Sequence, residues 1–133
     1  PEVSFRRIPD ESGDSCTFLS WFLPTEEATK AVVAELKVQN ILAGNFYWFV
    51  NNWHYISKWD HLKNSITLNG LHPDLKAAVM HHATKDFSAS DAIMSRCVST
   101  AIGLTWTDEQ LKTKCEQMVG VIKKVLSEQK AMI

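Results

Sequence analysis

Short apolar segments alternate with polar turns along most of the chain, and one long amphipathic segment follows near its end. Residues 16–23 and 45–50 are rich in aromatic and apolar residues and are bounded by turn signals, which is typical of buried strands. Residues 97–102 predict another short strand, and residues 3–8 alternate only in part. The pattern therefore predicts three or four short strands.

Helix-start signals occur between these strands. Pro24 and the two acidic residues after Thr25 favour a helix from 24 to about 39, because proline suits the first turn and acids face the positive end of the helix dipole. Shorter helices are predicted over 57–63 and 72–83, with a single turn near Ser90. The clearest helix begins at the capping box Thr107–Gln110. It continues with an apolar stripe of Leu111, Cys115, Met118, Val119, Ile122, Val125 and Leu126.

Together these elements predict an α+β fold, a small antiparallel or mixed sheet covered by helices. The strands and helices do not alternate strictly, and no early glycine-rich turn is present. No internal repeat or low-complexity linker divides the sequence. We therefore predict a single domain over residues 1–133.

Composition and charge restrict the class of partner. The chain has 133 residues, of which 45% are hydrophobic and 22% charged, the balance of a globular protein. A formal net charge of −1 provides no long-range attraction to nucleic acid or an anionic membrane, so a small or neutral partner is favoured. Three widely spaced cysteines without a CxxC pair, and no secretory leader, predict a cytoplasmic protein. Since the sequence begins at Pro1 without Met, we expect it to be part of a longer polypeptide.

The motifs of phosphate-loop, dinucleotide, acyl-transfer and zinc-protease chemistry are absent from the sequence. The aromatic run 45–50 lacks the interleaved cations of a nucleic-acid platform. After it, Asn52, Trp53, His54 and Tyr55 present amide, indole, imidazole and phenol groups together. Such groups bind neutral or anionic polyols by hydrogen bonding and stacking. The sequence thus predicts a core strand followed by a sugar-facing loop.

The order of these features resembles the C-terminal small domain of the DegT/StrS sugar aminotransferases, which are fold-type I pyridoxal-phosphate enzymes. The resemblance covers nearly the whole chain, and the segments that carry it are NNWHYISKWDHL (51–62), SDAIMSRCVSTAI (90–102) and WTDEQLKTKCEQMVGVIKKVL (106–126). The first segment is most similar to the branch that aminates position 8 of Kdo, an acid sugar of lipopolysaccharide. The chain departs from the family pattern at 101–103, where the family usually has Leu-Pro, and before His54, where proline is common.

The resemblance implies a substrate-side role for His54, with Tyr47, Asn52, Trp53 and Tyr55 as its neighbours. Arg96 matches a family position as well, although a structural ion pair would equally explain it. The Schiff-base lysine and the pyridoxal 5'-phosphate site would lie in a preceding large domain. This chain alone would then be inactive and would contribute a substrate-cleft wall and part of a homodimer interface. The intact enzyme would transfer an amino group from an amino acid, glutamate by expectation, to a keto-sugar.

Three alternatives remain open from the sequence. A stand-alone carbohydrate-binding or interaction module would use the same aromatic segment without a catalytic partner. A small metal-dependent hydrolase would need a metal held by His54 and His61 beside Asp60, and three or four converging ligands are required. A sugar-nucleotide dehydratase of the same family would share this domain.

Overall fold

The structure is a computed structural model that describes residues 3–41, 43–51, 54–64, 66–83 and 86–131. The chain divides into two compact units. Unit 1 comprises Pro1–Tyr47 and Ser95–Ile133, and unit 2 comprises Trp48–Met94. No linker in the sequence marks the boundaries of these units. The interpretation of residues 1–133 as one domain stays a prediction.

Unit 1 contains an antiparallel sheet, which confirms the predicted α+β class. Its strands are β1 (Ser4–Phe5), β2 (Phe18–Phe22), β3 (Asn45–Phe46) and β4 (Cys97–Ala101). They lie in the order β1-β2-β4-β3, and every neighbouring pair is antiparallel. The two longest strands, β2 and β4, are paired along their full length at the centre of this sheet.

One face of the sheet carries the core because side chains alternate along each strand. Trp21 lies opposite Val98 in the β2–β4 pairing and is only 2% exposed. Leu23 follows at the end of the same strand and is equally buried. Both residues belong to the cluster that the helices of unit 1 cover.

Helix α1 (Glu26–Val38) begins where the sequence predicts. Thr25 is its N-cap, and the Thr25 side chain accepts a hydrogen bond from the Ala28 amide. Val32 and Leu36 are fully buried against the sheet. The chain leaves the helix through Asn40, whose φ of 57° is in the left-handed region that asparagine tolerates.

Helix α5 (Asp108–Ala131) starts at the predicted capping box. The Thr107 hydroxyl accepts from the Gln110 amide, and the Gln110 side chain accepts from the Thr107 amide. In its C-terminal half, Val125 and Leu126 pack into the core with α1. The apolar stripe therefore predicted the helix correctly, but only part of the stripe is buried.

The N-terminal half of α5 borders an open apolar groove of about 450 Å³. The groove separates this half from the sheet, so that Leu111 is 43% exposed. Residues from both sides line it, among them Phe5, Leu19, Trp21, Leu111, Met118 and Ile122. The sheet is thus covered closely by α1 and the C-terminal half of α5, and loosely by the N-terminal half of α5.

A buried hydrogen-bond network connects three strands of the sheet. The Trp21 indole N–H donates to the Thr100 hydroxyl at 2.8 Å, and that hydroxyl donates to the Asn45 side-chain oxygen at 2.6 Å. The Asn45 amide group in turn donates to the Ile41 carbonyl. Every buried side-chain nitrogen or oxygen of the described residues has a partner, as stable interiors require.

The predicted strand over 45–50 is wrong beyond Phe46. Only Asn45 and Phe46 pair with β4, and a 3-10 turn follows over Trp48–Val50. Phe49 is buried in this turn and contacts the Tyr55 ring within unit 2. Aromatic side chains can be buried in a strand or in a turn. Periodicity alone therefore did not distinguish the two conformations.

Unit 2 consists of turns and short helices. A 3-10 turn (Ile56–Lys58) and α2 (Asp60–Lys63) replace the predicted single helix over 57–63. Helix α3 (Pro73–Ala83) confirms the helix predicted from Pro73. Helix α4 (Ser88–Met94) is longer than the single turn expected near Ser90.

Candidate functional site

The segment after β3 brings rings and one cation together in unit 2. The Trp48 and His54 rings lie 4.4 Å apart, and the Phe49 and Tyr55 rings 5.8 Å apart. The Lys58 ammonium is 4.2 Å from the centre of the Phe49 ring, at cation–π distance. Short 3-10 turns lie on either side of His54, at Trp48–Val50 and Ile56–Lys58.

Tyr55 fastens this segment to α4. Its hydroxyl donates to the Asp91 carboxylate at 2.5 Å, and the Ser57 hydroxyl donates to the same oxygen at 3.3 Å. Tyr55 and Ser57 are both buried. Burial raises the pKa of the Tyr55 hydroxyl, and its hydrogen bond to the Asp91 carboxylate raises this pKa further. The phenol therefore remains a neutral donor.

A polar cleft of about 400 Å³ lies beside these residues, entirely within unit 2. We refer to it as the polar cleft, and its lining is Ser57, Lys58, Lys63, Asp86, Phe87, Ser88 and Asp91. Asp86 accepts hydrogen bonds from both the amide and the hydroxyl of Ser88. These two bonds lower the pKa of Asp86, the amide contributing most. The cleft thus combines ammonium, carboxylate and hydroxyl groups, each of which can form hydrogen bonds with a polar ligand.

His54 is exposed, and its imidazole rests against the Trp48 ring. Its neighbour Tyr55 is buried, with the hydroxyl donated to Asp91. Asn52 and Trp53, which the resemblance adds to the site, lie outside the described residues. Of the predicted site residues, unit 2 therefore contains the exposed His54 imidazole and Tyr55, whose hydroxyl is hydrogen-bonded to Asp91.

Tyr47 belongs to unit 1 and is only 9% exposed. Its hydroxyl donates to the Ser95 carbonyl at 2.7 Å. Burial, followed by the nearby carboxylates of Glu26 and Glu27, raises the pKa of Tyr47 to about 12. Since a hydroxyl has one proton to donate, the Tyr47 hydroxyl could serve a ligand only as an acceptor in this arrangement.

Arg96 has a structural contact in unit 1. Its guanidinium donates to the Leu23 carbonyl at 3.4 Å, and its own carbonyl accepts from the Leu23 amide. These bonds fasten the entry of β4 to the end of β2.

Sequence reasoning missed Lys58, Lys63, Asp86 and Asp91 as candidate site residues. Lys58 lies in the segment 51–62 and Lys63 directly follows it, but neither residue forms a motif there. Asp91 approaches Tyr55 only through the fold, across more than thirty positions of sequence. The only local signal for Asp86 was the polar stretch that precedes α4.

The metal alternative has no assembled ligand set within the described part of the chain, where no three His, Cys, Asp or Glu side chains converge. His61 lies in α2, where its ring stacks 5.9 Å from that of Trp59. His54 precedes the 3-10 turn and contacts Trp48 instead.

Pyridoxal phosphate needs a lysine for the Schiff base and an acidic or basic partner at its ring nitrogen. Lys30 pairs with Glu26, Lys114 donates to the Ala43 carbonyl, and Lys124 pairs with Glu35. The hydrogen bond to Glu35 raises the pKa of Lys124, opposite to the change that makes a lysine nucleophilic. That the cofactor is bound outside this chain stays a prediction, and we assign no step to it within this chain.

No protein-family model matches the chain. In the described ranges, none of the helices has both the length and the apolar character needed to cross a membrane.

Proposed function

We propose that this chain is the C-terminal small domain of a cytoplasmic, homodimeric DegT/StrS-family aminotransferase. The intact enzyme would transfer an amino group from glutamate to a keto-sugar, with 8-oxo-Kdo of lipopolysaccharide biosynthesis as the specific candidate. Pyridoxal 5'-phosphate would be bound by the large domain. The chain described here would supply substrate-binding residues.

The observation that carries the proposal is that the exposed His54 imidazole packs against the Trp48 ring, next to a residue that is itself anchored. His54 is exposed while its ring rests on Trp48, and the next residue is anchored through its hydroxyl to Asp91. A side chain held in this way loses little rotamer freedom on binding, which favours a defined hydrogen bond to a ligand. The resemblance of residues 90–102 and 106–126 to the family supports the same assignment.

Each residue then has a stated task. His54 would donate to or accept from a sugar hydroxyl or carbonyl oxygen, and Trp48 would hold its ring in place. Tyr55 would position Asp91 rather than contact the sugar, because its only proton is already donated.

The test uses the intact polypeptide that contains this chain. Its absorbance would be recorded in the region of enzyme-bound pyridoxal phosphate, before and after addition of glutamate. We expect a cofactor band that glutamate bleaches and a keto-sugar restores. A protein without bound cofactor would refute the aminotransferase assignment and would favour a carbohydrate-binding module. A band that glutamate leaves unchanged, with turnover of a sugar nucleotide to a dehydrated product, would favour the dehydratase alternative.

The site is tested with His54→Ala and the matched control His61→Ala. Loss of one hydrogen bond to substrate should lower kcat/KM for the sugar by about 10- to 100-fold. The reaction with glutamate should keep its rate in both variants. Equal effects of the two substitutions on the sugar reaction would argue against a specific role for His54.

A further inference from the structure

The apolar groove of unit 1 is elongated, because one face of α5 forms a wall along its whole length. Leu111, Cys115, Met118 and Ile122 line it from successive turns, three or four residues apart. At a rise of about 1.5 Å per residue, the wall from Leu111 to Lys123 is about 18 Å long. The sheet forms the opposite wall, to which β1, β2 and β4 each contribute side chains.

Both walls present apolar side chains that the fold leaves accessible. Phe5 on the sheet is 61% exposed, and Val119 on the helix is 46% exposed. Exposed apolar surface that is gathered in one groove is typical of a ligand-binding site, since an apolar occupant removes that surface from water. Met118 lies on the same wall, and its unbranched side chain adapts to the shape of an occupant. The groove therefore favours a ligand with an extended apolar body.

The charged residues that line the groove have one sign. In the described part of the chain they are Lys114 and Lys123, and no carboxylate lines the groove with them. A groove with low-dielectric walls and charges of one sign concentrates ions of the opposite sign. This distribution disfavours a cationic ligand and favours an anionic one.

The Lys114 ammonium has a defined position at the groove. It donates to the Ala43 carbonyl at 2.7 Å and lies 4.9 Å from the centre of the Trp106 ring. Among the described residues, it has no ion pair with a carboxylate. An ammonium has three N–H donors, so two remain for a ligand after the bond to Ala43. Because the Lys114 side chain is already ordered, an anionic group that binds it loses little affinity to ordering.

We propose that the apolar groove binds an aliphatic monocarboxylate, with its chain between the sheet and α5 and its carboxylate at the Lys114 ammonium. The volume of about 450 Å³ lies in the range of small-molecule pockets. A sugar does not suit this groove, because apolar walls leave most of its hydroxyl groups without partners. The inference does not rest on the proposed function, since none of the residues proposed to bind the sugar lines the groove.

The experiment measures binding by calorimetry with the intact polypeptide. Octanoate is the probe, 1-octanol its neutral analogue, octyltrimethylammonium its cationic analogue, and acetate the carboxylate without a chain. We expect saturable octanoate binding with a dissociation constant on the order of 1 mM, and binding of the three other compounds weaker by about fivefold or more. Decanoate should bind about tenfold more tightly than octanoate, because two more methylene groups are buried.

Variants identify the site. Lys114→Gln should weaken octanoate binding by about fivefold and leave 1-octanol binding unchanged. Val119→Glu places a carboxylate at the groove and should weaken octanoate binding by about tenfold, whereas Val119→Lys should retain it. Lys112→Gln, on the same helix but outside the groove, is the matched control and should have no effect.

The cysteines of unit 1 locate the bound ligand independently. Cys115 lines the groove and is exposed, whereas Cys16 is exposed outside it. Saturating octanoate should slow the alkylation of Cys115 by iodoacetamide and leave that of Cys16 unchanged, as measured by peptide mass spectrometry. Equal effects on the two thiols would place the ligand elsewhere and overturn the assignment.

Other outcomes would also overturn the inference. Equal affinity for octanoate and 1-octanol would mean that the carboxylate is not recognised, and equal affinity for octanoate and decanoate would mean that the chain is not buried. Unchanged binding in both Lys114→Gln and Val119→Glu would exclude this groove. Absence of saturable binding by the intact polypeptide would mean that another segment or a protein partner covers the groove. None of these results bears on the aminotransferase proposal, which the cofactor band and the sugar kinetics test separately.

Discussion

Tyr47 and Tyr55 are both buried, but their hydroxyl groups have different partners. Tyr47 donates to a backbone carbonyl in unit 1, whereas Tyr55 donates to a carboxylate in unit 2. The first bond fastens the end of the β3 segment to the residue before Arg96. The second holds a lining group of the polar cleft. Tyr47 therefore stabilises the backbone of unit 1, whereas Tyr55 positions a carboxylate that lines the polar cleft of unit 2.

The raised pKa of Tyr47 predicts a loss of stability at high pH. The unfolded tyrosine releases its proton near pH 10.0, and the folded one near pH 12. Above the first value the unfolded state binds fewer protons, so the free energy of unfolding falls as pH rises from about 10 to 12. The full effect is at most about 3 kcal/mol and is measurable by urea denaturation at several pH values.

Tyr47→Phe provides the control for this titration. It removes the ionisable group and leaves the Ser95 carbonyl without the Tyr47 hydroxyl. Stability should be lower by about 1 kcal/mol at neutral pH, and its dependence on pH above 10 should become shallower. An unchanged pH profile would show that Tyr47 is not the group responsible.

At the scale of elements, the capping box stabilises the N-terminus of α5. Thr107→Ala removes the acceptor for the Gln110 amide and should lower the free energy of unfolding by about 1 kcal/mol. Thr113→Ala makes the same chemical change at an exposed position inside the helix. It should be neutral or stabilising by up to about 0.5 kcal/mol, since alanine is the better helix former. Thermal and urea unfolding of both variants, compared side by side, would decide; equal losses would contradict the capping role.

The network of Trp21, Thr100 and Asn45 connects separate strands of the sheet. Thr100→Val preserves shape but leaves a buried indole N–H and a buried amide oxygen without partners. The expected loss is about 2–4 kcal/mol, because unpaired buried groups keep their desolvation cost.

Thr100→Ser is the matched control for the network. It retains the hydroxyl and should cost about 1 kcal/mol for the lost methyl group. The two variants would be compared by urea denaturation. If valine proved no more damaging than serine, the network would contribute packing rather than hydrogen bonding.

At the scale of the whole molecule, α5 combines a buried half with a half that borders the apolar groove. Leu126 is 6% exposed within the core, whereas Leu111 is 43% exposed at the groove. Leu126→Ala should lower the free energy of unfolding by about 2–4 kcal/mol, and Leu111→Ala by less than about 1 kcal/mol. Equal losses, measured by urea denaturation, would mean that the groove is closed in solution.

Sequence patterns predicted the elements whose signals are local. The capping box, the proline before α1 and the apolar stripe of α5 all depend on residues within a few positions of one another. The split of 57–63 and the turn at Trp48–Val50 were not predicted, because an aromatic and apolar pattern is compatible with a strand, a helix or a turn. His54 was singled out from its neighbours in sequence, while Lys58, Lys63 and Asp91 required the fold.

The sequence by itself determined the α+β class and the main helices, because periodicity and capping are properties of short segments. Only the tertiary structure decided the strand order, the sharing of Asp91 by Tyr55 and Ser57, and the collection of two lysines in one cleft. Those features join residues that are distant along the chain. The reason is physical: hydrogen bonds and charge interactions act over a few ångströms in space, and folding alone sets those distances.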